Sequence, residues 1–136
     1  MAASNAQGWI VDQKMNVLVV DDQVTMLRIE RSLLNQIGFP NVDIVTSGPD
    51  ALKKLREKPF GLVISDWNMA PMTGLELLKQ VRGDDKLKAM PFIMVTAESK
   101  SENVVAAKQA GVSQYIIKPF NAETLKKKIA SVIGEF

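Results

Sequence analysis

Five short apolar runs, each followed by a segment with helical spacing, constrain this chain more than any other feature. The runs are Val17–Val20, Ile44–Val45, Leu62–Ile64, Phe92–Val95 and Tyr115–Ile117. Most are continuous rather than alternating, which suits strands covered on both faces of a parallel sheet. The intervening stripes are Met26, Ile29, Leu33 and Ile37; then Ala51, Leu52 and Leu55; then Leu75, Leu78 and Val81; then Val104, Ala107 and Ala110; and finally Leu125, Ile129, Val132 and Ile133. Gly38, Gly83 and Gly111 close three of these segments, and Pro59 follows a fourth. Strict strand–helix alternation predicts an α/β sandwich, its right-handed crossovers placing helices on both faces of the sheet.

A chain of 136 residues is long enough for one core, and with the last helical stripe reaching almost to Phe136 a single domain is expected. Residues 1–14 read as a flexible tail, native or left by an expression vector, and 15–136 as the folded domain. There is no cysteine and no histidine. Disulfides, thiolate sites, histidine-based nucleophile pairs and the usual zinc ligands are therefore excluded. The formal charge of +2 and the lack of a basic stripe with interleaved aromatics argue against nucleic-acid binding. Lys126–Lys128 reads as a solvated helix face. No run is long enough to span a bilayer and the start lacks a signal peptide's pattern, so a cytoplasmic protein without membrane contact is expected.

In such a sheet, ligands bind beyond the carboxyl ends of the strands. The polar residues at those ends are Asp21 and Asp22, Asp66, Thr96 and Lys118. Taken singly, each has an ordinary explanation. Asp21 or Asp22 suits a helix cap, Asp66 a turn, Thr96 a strand end and Lys118 a snorkelling surface lysine. Together they suggest more. Crowded carboxylates must protonate or bind a cation, and an all-oxygen donor set favours a hard metal such as Mg²⁺. A lysine and a hydroxyl beside it suit phosphoryl transfer, with an aspartate as acceptor through an acyl phosphate.

Five motifs then carry a resemblance: Val17–Asp22 (VLVVDD), Val63–Met69 (VISDWNM), Met72–Leu78 (MTGLELL), Met94–Glu98 (MVTAE) and Tyr115–Phe120 (YIIKPF). From Lys14 to about Gly134 the chain resembles response-regulator receiver domains, and most closely the single-domain chemotaxis regulators. The resemblance implies a doubly wound, flavodoxin-like, five-stranded parallel sheet of order 2-1-3-4-5 flanked by five helices. It implies phosphorylation of Asp66 by a histidine kinase, with Asp22, Asp66 and the backbone carbonyl of Asn68 on Mg²⁺ and Asp21 acting largely through water. Lys118 would pair with the phosphoryl oxygens, and its bond to Pro119 would be cis. Thr96 would move to the phosphoryl group and Tyr115 would swing into the space it leaves. The output face would comprise Lys100, Val104, Lys108, Tyr115, Ile117, Phe120 and Lys128, binding a flagellar motor switch protein. Asn68 and Glu98 would tune dephosphorylation. The implied protein is a monomeric signalling phospho-acceptor rather than an enzyme acting on other substrates.

The chain departs from the family pattern after the acceptor strand, where Ala70-Pro71 and Thr73 replace the usual proline position and acid. Thr73 can still cap the following helix, while Pro71 changes the loop near the metal. Gln23 bears on access for a phosphatase. Trp67, beside the acid, is expected to report Mg²⁺ or phosphate by fluorescence, over a background from Trp9. The alternatives are a phosphate sink or relay without motor binding, or a receiver cut from a longer regulator. A flavin-binding protein of the same sheet order is disfavoured, since Asp21 and Asp22 would repel its phosphate.

Overall fold

The computed structural model describes residues 11–97 and 101–136, without the side chain of Ser101. The elements alternate as expected: β1 (Val17–Val20), α1 (Val24–Gln36), β2 (Val42–Val45), α2 (Gly48–Glu57), β3 (Leu62–Asp66), α3 (Gly74–Arg82), β4 (Phe92–Thr96), α4 (Ser101–Gln109), β5 (Gln114–Ile117) and α5 (Ala122–Ile133). The strands form one parallel sheet in the order β2-β1-β3-β4-β5. Every residue of β1, β3 and β4 is buried, whereas the edge strands β2 and β5 are only partly covered. That is why the central runs are continuously apolar and Asp43 and Gln114 are tolerated at the edges.

Alternate strand residues supply two separate cores. Val17, Val19, Leu62, Ile64, Ile93, Val95 and Ile116 meet Leu27 and Leu34 of α1 and Leu125 and Ile129 of α5. On the other face, Leu18, Val20, Val63, Phe92 and Met94 meet Ala51, Leu52 and Leu55 of α2 and Leu77, Leu78 and Val81 of α3.

Two helix stripes need correction. In α1 the buried residues are Leu27, Glu30 and Leu34, while Ile29 is 47% exposed and Met26, Leu33 and Ile37 are only partly buried. The helix is turned by one residue from the expected phase. It docks with Leu27 and Leu34 facing the sheet, and the apolar residues on either side of that seam flank it instead. In α3, Leu77 takes the core position expected of Leu75.

Local capping agrees with the sequence at the point of departure from the family pattern. Thr73 Oγ1 accepts from the Glu76 amide at 3.1 Å and Glu76 Oε1 accepts from the Thr73 amide at 3.0 Å, a reciprocal capping box. The α3 start is thus fixed without an acid at position 73. Lys118–Pro119 is cis, as the resemblance implied, and Ala70–Pro71 is cis as well.

Arg82, at the end of α3, ties together two loops, the one before β4 and the one before β5. Its Nε donates to Gly111 O at 2.8 Å, and Nη1 donates to Met90 O at 2.6 Å and Lys88 O at 3.1 Å. Nη2 donates to Ser113 Oγ at 3.4 Å. Replacing Arg82 with alanine would leave these carbonyls unpaired, and we expect a stability loss of about 2–3 kcal/mol by urea unfolding. Arg82→Lys should recover little, because an ammonium cannot span the fork. Full rescue by lysine would show that charge alone matters.

Candidate functional site

The order of the strands creates the site. The chain crosses from β1 to β2 on one side and then returns past β1 to β3 on the other, so the crevice at the carboxyl ends of β1 and β3 lies at a topological switch point. Val20 pairs with Ser65, which sets Asp21, the next residue after β1, beside Asp66 at the end of β3. Asp66 in turn pairs with Val95 and Thr96 with Ile117. Lys118 follows directly, and its amide donates to Thr96 O at 2.8 Å. Asp21, Asp66, Thr96 and Lys118, spread over 98 sequence positions, thereby come to one edge.

The side chains complete the arrangement. Lys118 Nζ lies 3.0 Å from Asp66 Oδ1 and 3.4 Å from Asp21 Oδ2. Asp21 Oδ1 accepts from the Gln23 amide at 2.9 Å. Gln23, not either acid, is the residue at the α1 cap position, and its own side chain makes no cap bond. Asp21 and Asp66 are buried, Asp22 is exposed, and Thr96 is fully buried. One oxygen from each of Asp21, Asp22 and Asp66 lies within 4.8 Å of the others.

Charge on this cluster is only partly balanced. Burial raises the Asp66 carboxyl above its ordinary range. The hydrogen bond from Lys118 opposes that rise, and the charges of Asp21 and Asp22 add to it. Burial acts to lower the Lys118 ammonium, but its bond to Asp66 and the charges of Asp66, Asp21 and Glu30 carry it upward overall. A lysine held charged against three acids leaves net negative charge, which a small hard cation would neutralise. The all-oxygen donor set fits Mg²⁺ on these grounds, with Asp21, Asp22 and Asp66 as the residues to hold it.

Trp67 begins the loop after Asp66. Its amide donates to Val95 O at 3.0 Å, and its carbonyl accepts from Gly74 at 2.9 Å and Met69 at 3.1 Å. The indole meets Tyr115 edge-on, with ring centroids 6.3 Å apart. The acceptor loop and β5 are therefore in direct aromatic contact, a link the sequence did not reveal. Asn68 is exposed on the same loop.

Of the expected output residues, Val104 is partly buried and Lys108 exposed on α4, Tyr115 is partly buried and Ile117 is 39% exposed on β5. Phe120 packs against the α1/α5 core, and Lys128 Nζ donates to Gln114 Oε1 at 3.5 Å. Val105, 50% exposed, adds an apolar position that the helical stripe did not flag. Glu98 and Lys100 lie outside the described residues.

Sequence reasoning also missed Glu30, which is only 3% exposed on the inner face of α1. Shifting the apolar stripe by one residue, to Leu27 and Leu34, would have placed it at the centre of the buried face.

A parallel α/β sheet with an acidic pocket and a paired lysine at its switch point defines a signalling module of the receiver class. The chain belongs to the response regulator receiver domain family, whose model matches residues 17–130. Within that family it is of the chemotaxis type. It is 46% identical to chemotaxis protein CheY-3 of Vibrio cholerae over 123 residues, covering 90% of this chain and 95% of the relative. It is also 46% identical to chemotaxis protein CheY of Pseudomonas aeruginosa over 118 residues, covering 87% and 95%. The solved structure of the chemotaxis response regulator CheY4 of Vibrio cholerae superposes with a TM-score of 0.81 at 35% identity, covering 88% of this chain and 98% of that one. Among the described residues no helix is long and apolar enough to cross a membrane.

Proposed function

We propose that this receiver domain is a phospho-accepting switch of two-component signalling, working in the cytoplasm as a monomer. The observation that carries this reading is the Asp66–Lys118 pair at 3.0 Å beside two further carboxylates at the switch point. Asp66 would attack the phosphorus of a kinase phosphohistidine. A P–O bond to the carboxylate forms, the P–N bond to histidine breaks, and an acyl phosphate results. Mg²⁺, when bound, supplies positive charge to the transferring group. Lys118 adds a second cation at the same oxygens, and the Thr96 hydroxyl offers a donor to one of them. Water admitted under the control of Asn68 and Glu98 would later attack the phosphorus, breaking its bond to Asp66 and releasing inorganic phosphate and the free carboxylate.

Phosphorylation turns the carboxylate that Lys118 now holds into a mixed anhydride, so Lys118 and Thr96 would regroup around the phosphoryl oxygens. Tyr115, in contact with Trp67, lies on the path from that change to the α4–β5–α5 face. Lys100, Val104, Lys108, Tyr115, Ile117, Phe120 and Lys128 would there meet a flagellar motor switch protein. The similarity to chemotaxis proteins along nearly their whole length favours this partner. The competing reading is a phosphate sink, which shares the site but lacks the phosphorylation-dependent partner.

With Mg²⁺ and a small phosphodonor, wild type should form acid-labile phosphate and show a change in Trp67 fluorescence. Asp66→Asn should form none, and chelation by EDTA should stop the wild-type reaction. Equal labelling of Asp66→Asn would place the acceptor elsewhere. A motor-switch peptide that binds the phosphorylated and unphosphorylated forms equally would favour the sink.

A further inference from the structure

Residues 67–73 connect β3 to α3, beginning directly after Asp66 and containing Asn68. Among the described residues, the hydrogen bonds of this loop from Met69 onward stay within it or run into the first turn of α3. The Met69 and Gly74 amides reach Trp67 O, and Thr73 and Glu76 cap each other. None of these bonds ties the loop to a neighbouring element. Asn68, Ala70 and Pro71 are exposed, so side-chain packing must hold the outer half, and two methionines supply it. Met69 is buried in the core beneath α2 and α3, and Met72 is partly buried against the same core.

Met72 lies flat on Gly48, the first residue of α2. A Cβ at Gly48 would fall 2.6 Å from Met72 Sδ and 2.9 Å from both Met72 Cβ and Met72 Cγ. Gly48 is not one of the glycines with positive φ, so its backbone does not require glycine, and alanine would be the better helix former. The close approach of the loop is what requires it. The seat is firm: Ser47 Oγ accepts from the Asp50 amide at 3.2 Å, Pro49 follows directly, and Ala51 is fully buried. Three residues before Gly48, Val45 O accepts from the Asp21 amide at 3.2 Å. Gly48 thus stands on a connection already bonded to the β1 side of the acid pocket, and Met72 joins it to the connection on the β3 side.

We propose that Met72 is a positioning residue for the acceptor loop, and that its seat on Gly48 holds the Asn68 backbone where it can share a cation with Asp66. Met72 touches no reacting group and acts only through the loop. An unseated loop would leave Asp21, Asp22 and the buried end of β3 in place while the Asn68 carbonyl lost its fixed position. The loss would then fall on Mg²⁺ affinity and not on transfer once the metal is bound. An unbranched thioether suits the irregular gap between loop and helix, and leucine has a similar volume to fill it. This inference rests on the reading of the pocket as a Mg²⁺-dependent acceptor site.

The full chain tests it as wild type, Met72→Ala, Met72→Leu, Gly48→Ala and the Met72→Ala/Gly48→Ala double variant. The readouts are Mg²⁺ titration followed by Trp fluorescence, labelling by a small phosphodonor at saturating Mg²⁺, and urea unfolding in EDTA. Met72→Ala and Gly48→Ala should each bind Mg²⁺ about tenfold more weakly, the scale seen when the support of a metal ligand is removed. Both should label at close to the wild-type rate once Mg²⁺ saturates. Met72→Leu should keep wild-type affinity because it refills the seat. The double variant should lose much less than the two single losses combined, since both remove one contact. A merely structural role would lower the urea midpoint and leave Mg²⁺ affinity unchanged, and that result for Met72→Ala overturns the proposal. So do fully additive losses in the double variant, or a Met72→Leu as weak as Met72→Ala. If wild type itself neither responds to Mg²⁺ nor labels, the acceptor reading fails and this inference falls with it.

Discussion

Replacing Gly74 with alanine should cost about 3 kcal/mol or more of unfolding free energy and disable the site at the same time. A Cβ at Gly74 would lie 2.2 Å from the backbone oxygen of Asp66 and 2.8 Å from Met94 Sδ. The thioether can move, but the Asp66 carbonyl cannot easily do so. It ends a strand buried on both faces, and the next amide, Trp67, is bonded to Val95 across β4. Either α3 backs away from β3, opening the core beneath Leu77 and Leu78, or the end of β3 shifts and carries the Asp66 carboxylate with it. A displacement near 1 Å at a reacting group is worth roughly a hundredfold in rate. Urea unfolding and the rate of Asp66 labelling should therefore fall together. Gly83→Ala is the control: its Cβ would meet nothing closer than 3.3 Å, and the backbone there is already helical. Equal behaviour of the two variants would show that the close approach of Gly74 to β3 relaxes freely.

The second large effect is the dependence of stability on pH in the absence of Mg²⁺. Glu30 rises from 4.5 to about 8 on folding. Between those values the native protein holds a proton that the unfolded chain has released, so stability must fall as pH rises through that window and level off above it. The full shift corresponds to an upper bound on the order of 3–5 kcal/mol, since residual burial in the unfolded chain reduces it. Asp66, also raised, acts in the same direction from its own lower starting value. Lys118, raised on folding, contributes stability fully present below its ordinary 10.5 and lost only as pH climbs through its higher folded value, so it leaves this window untouched. Urea unfolding in EDTA at pH 5, 6, 7 and 8 should give wild type a declining curve and Glu30→Gln a flatter one. Parallel curves would mean that Glu30 ionises in the folded protein as freely as in water.

Much of the fold was legible because apolar periodicity is local. Five continuous runs and five stripes specify strands and helices through the pleat and the 3.6-residue turn, and the observed elements follow them closely. The acids, Thr96 and Lys118 could be placed at strand ends for the same reason, and Thr73 could be assigned as a cap because capping involves neighbours in the chain. Failure came where docking decides. Met26, Ile29, Leu33 and Ile37 make as regular a stripe as the one observed, and nothing local reveals that α1 turns Leu27, Glu30 and Leu34 inward.

By itself, then, the sequence determined the α/β alternation, the acids at the strand ends and the chemistry those residue types permit. Tertiary structure alone decided that Lys118 pairs with both Asp66 and Asp21, that Trp67 touches Tyr115, and that Glu30 lies on the buried face of α1. The division has one physical cause. Propensity and periodicity act within about a turn of helix or a few strand residues, whereas burial, charge coupling and ring contacts depend on how elements far apart in the chain rotate and slide as they pack.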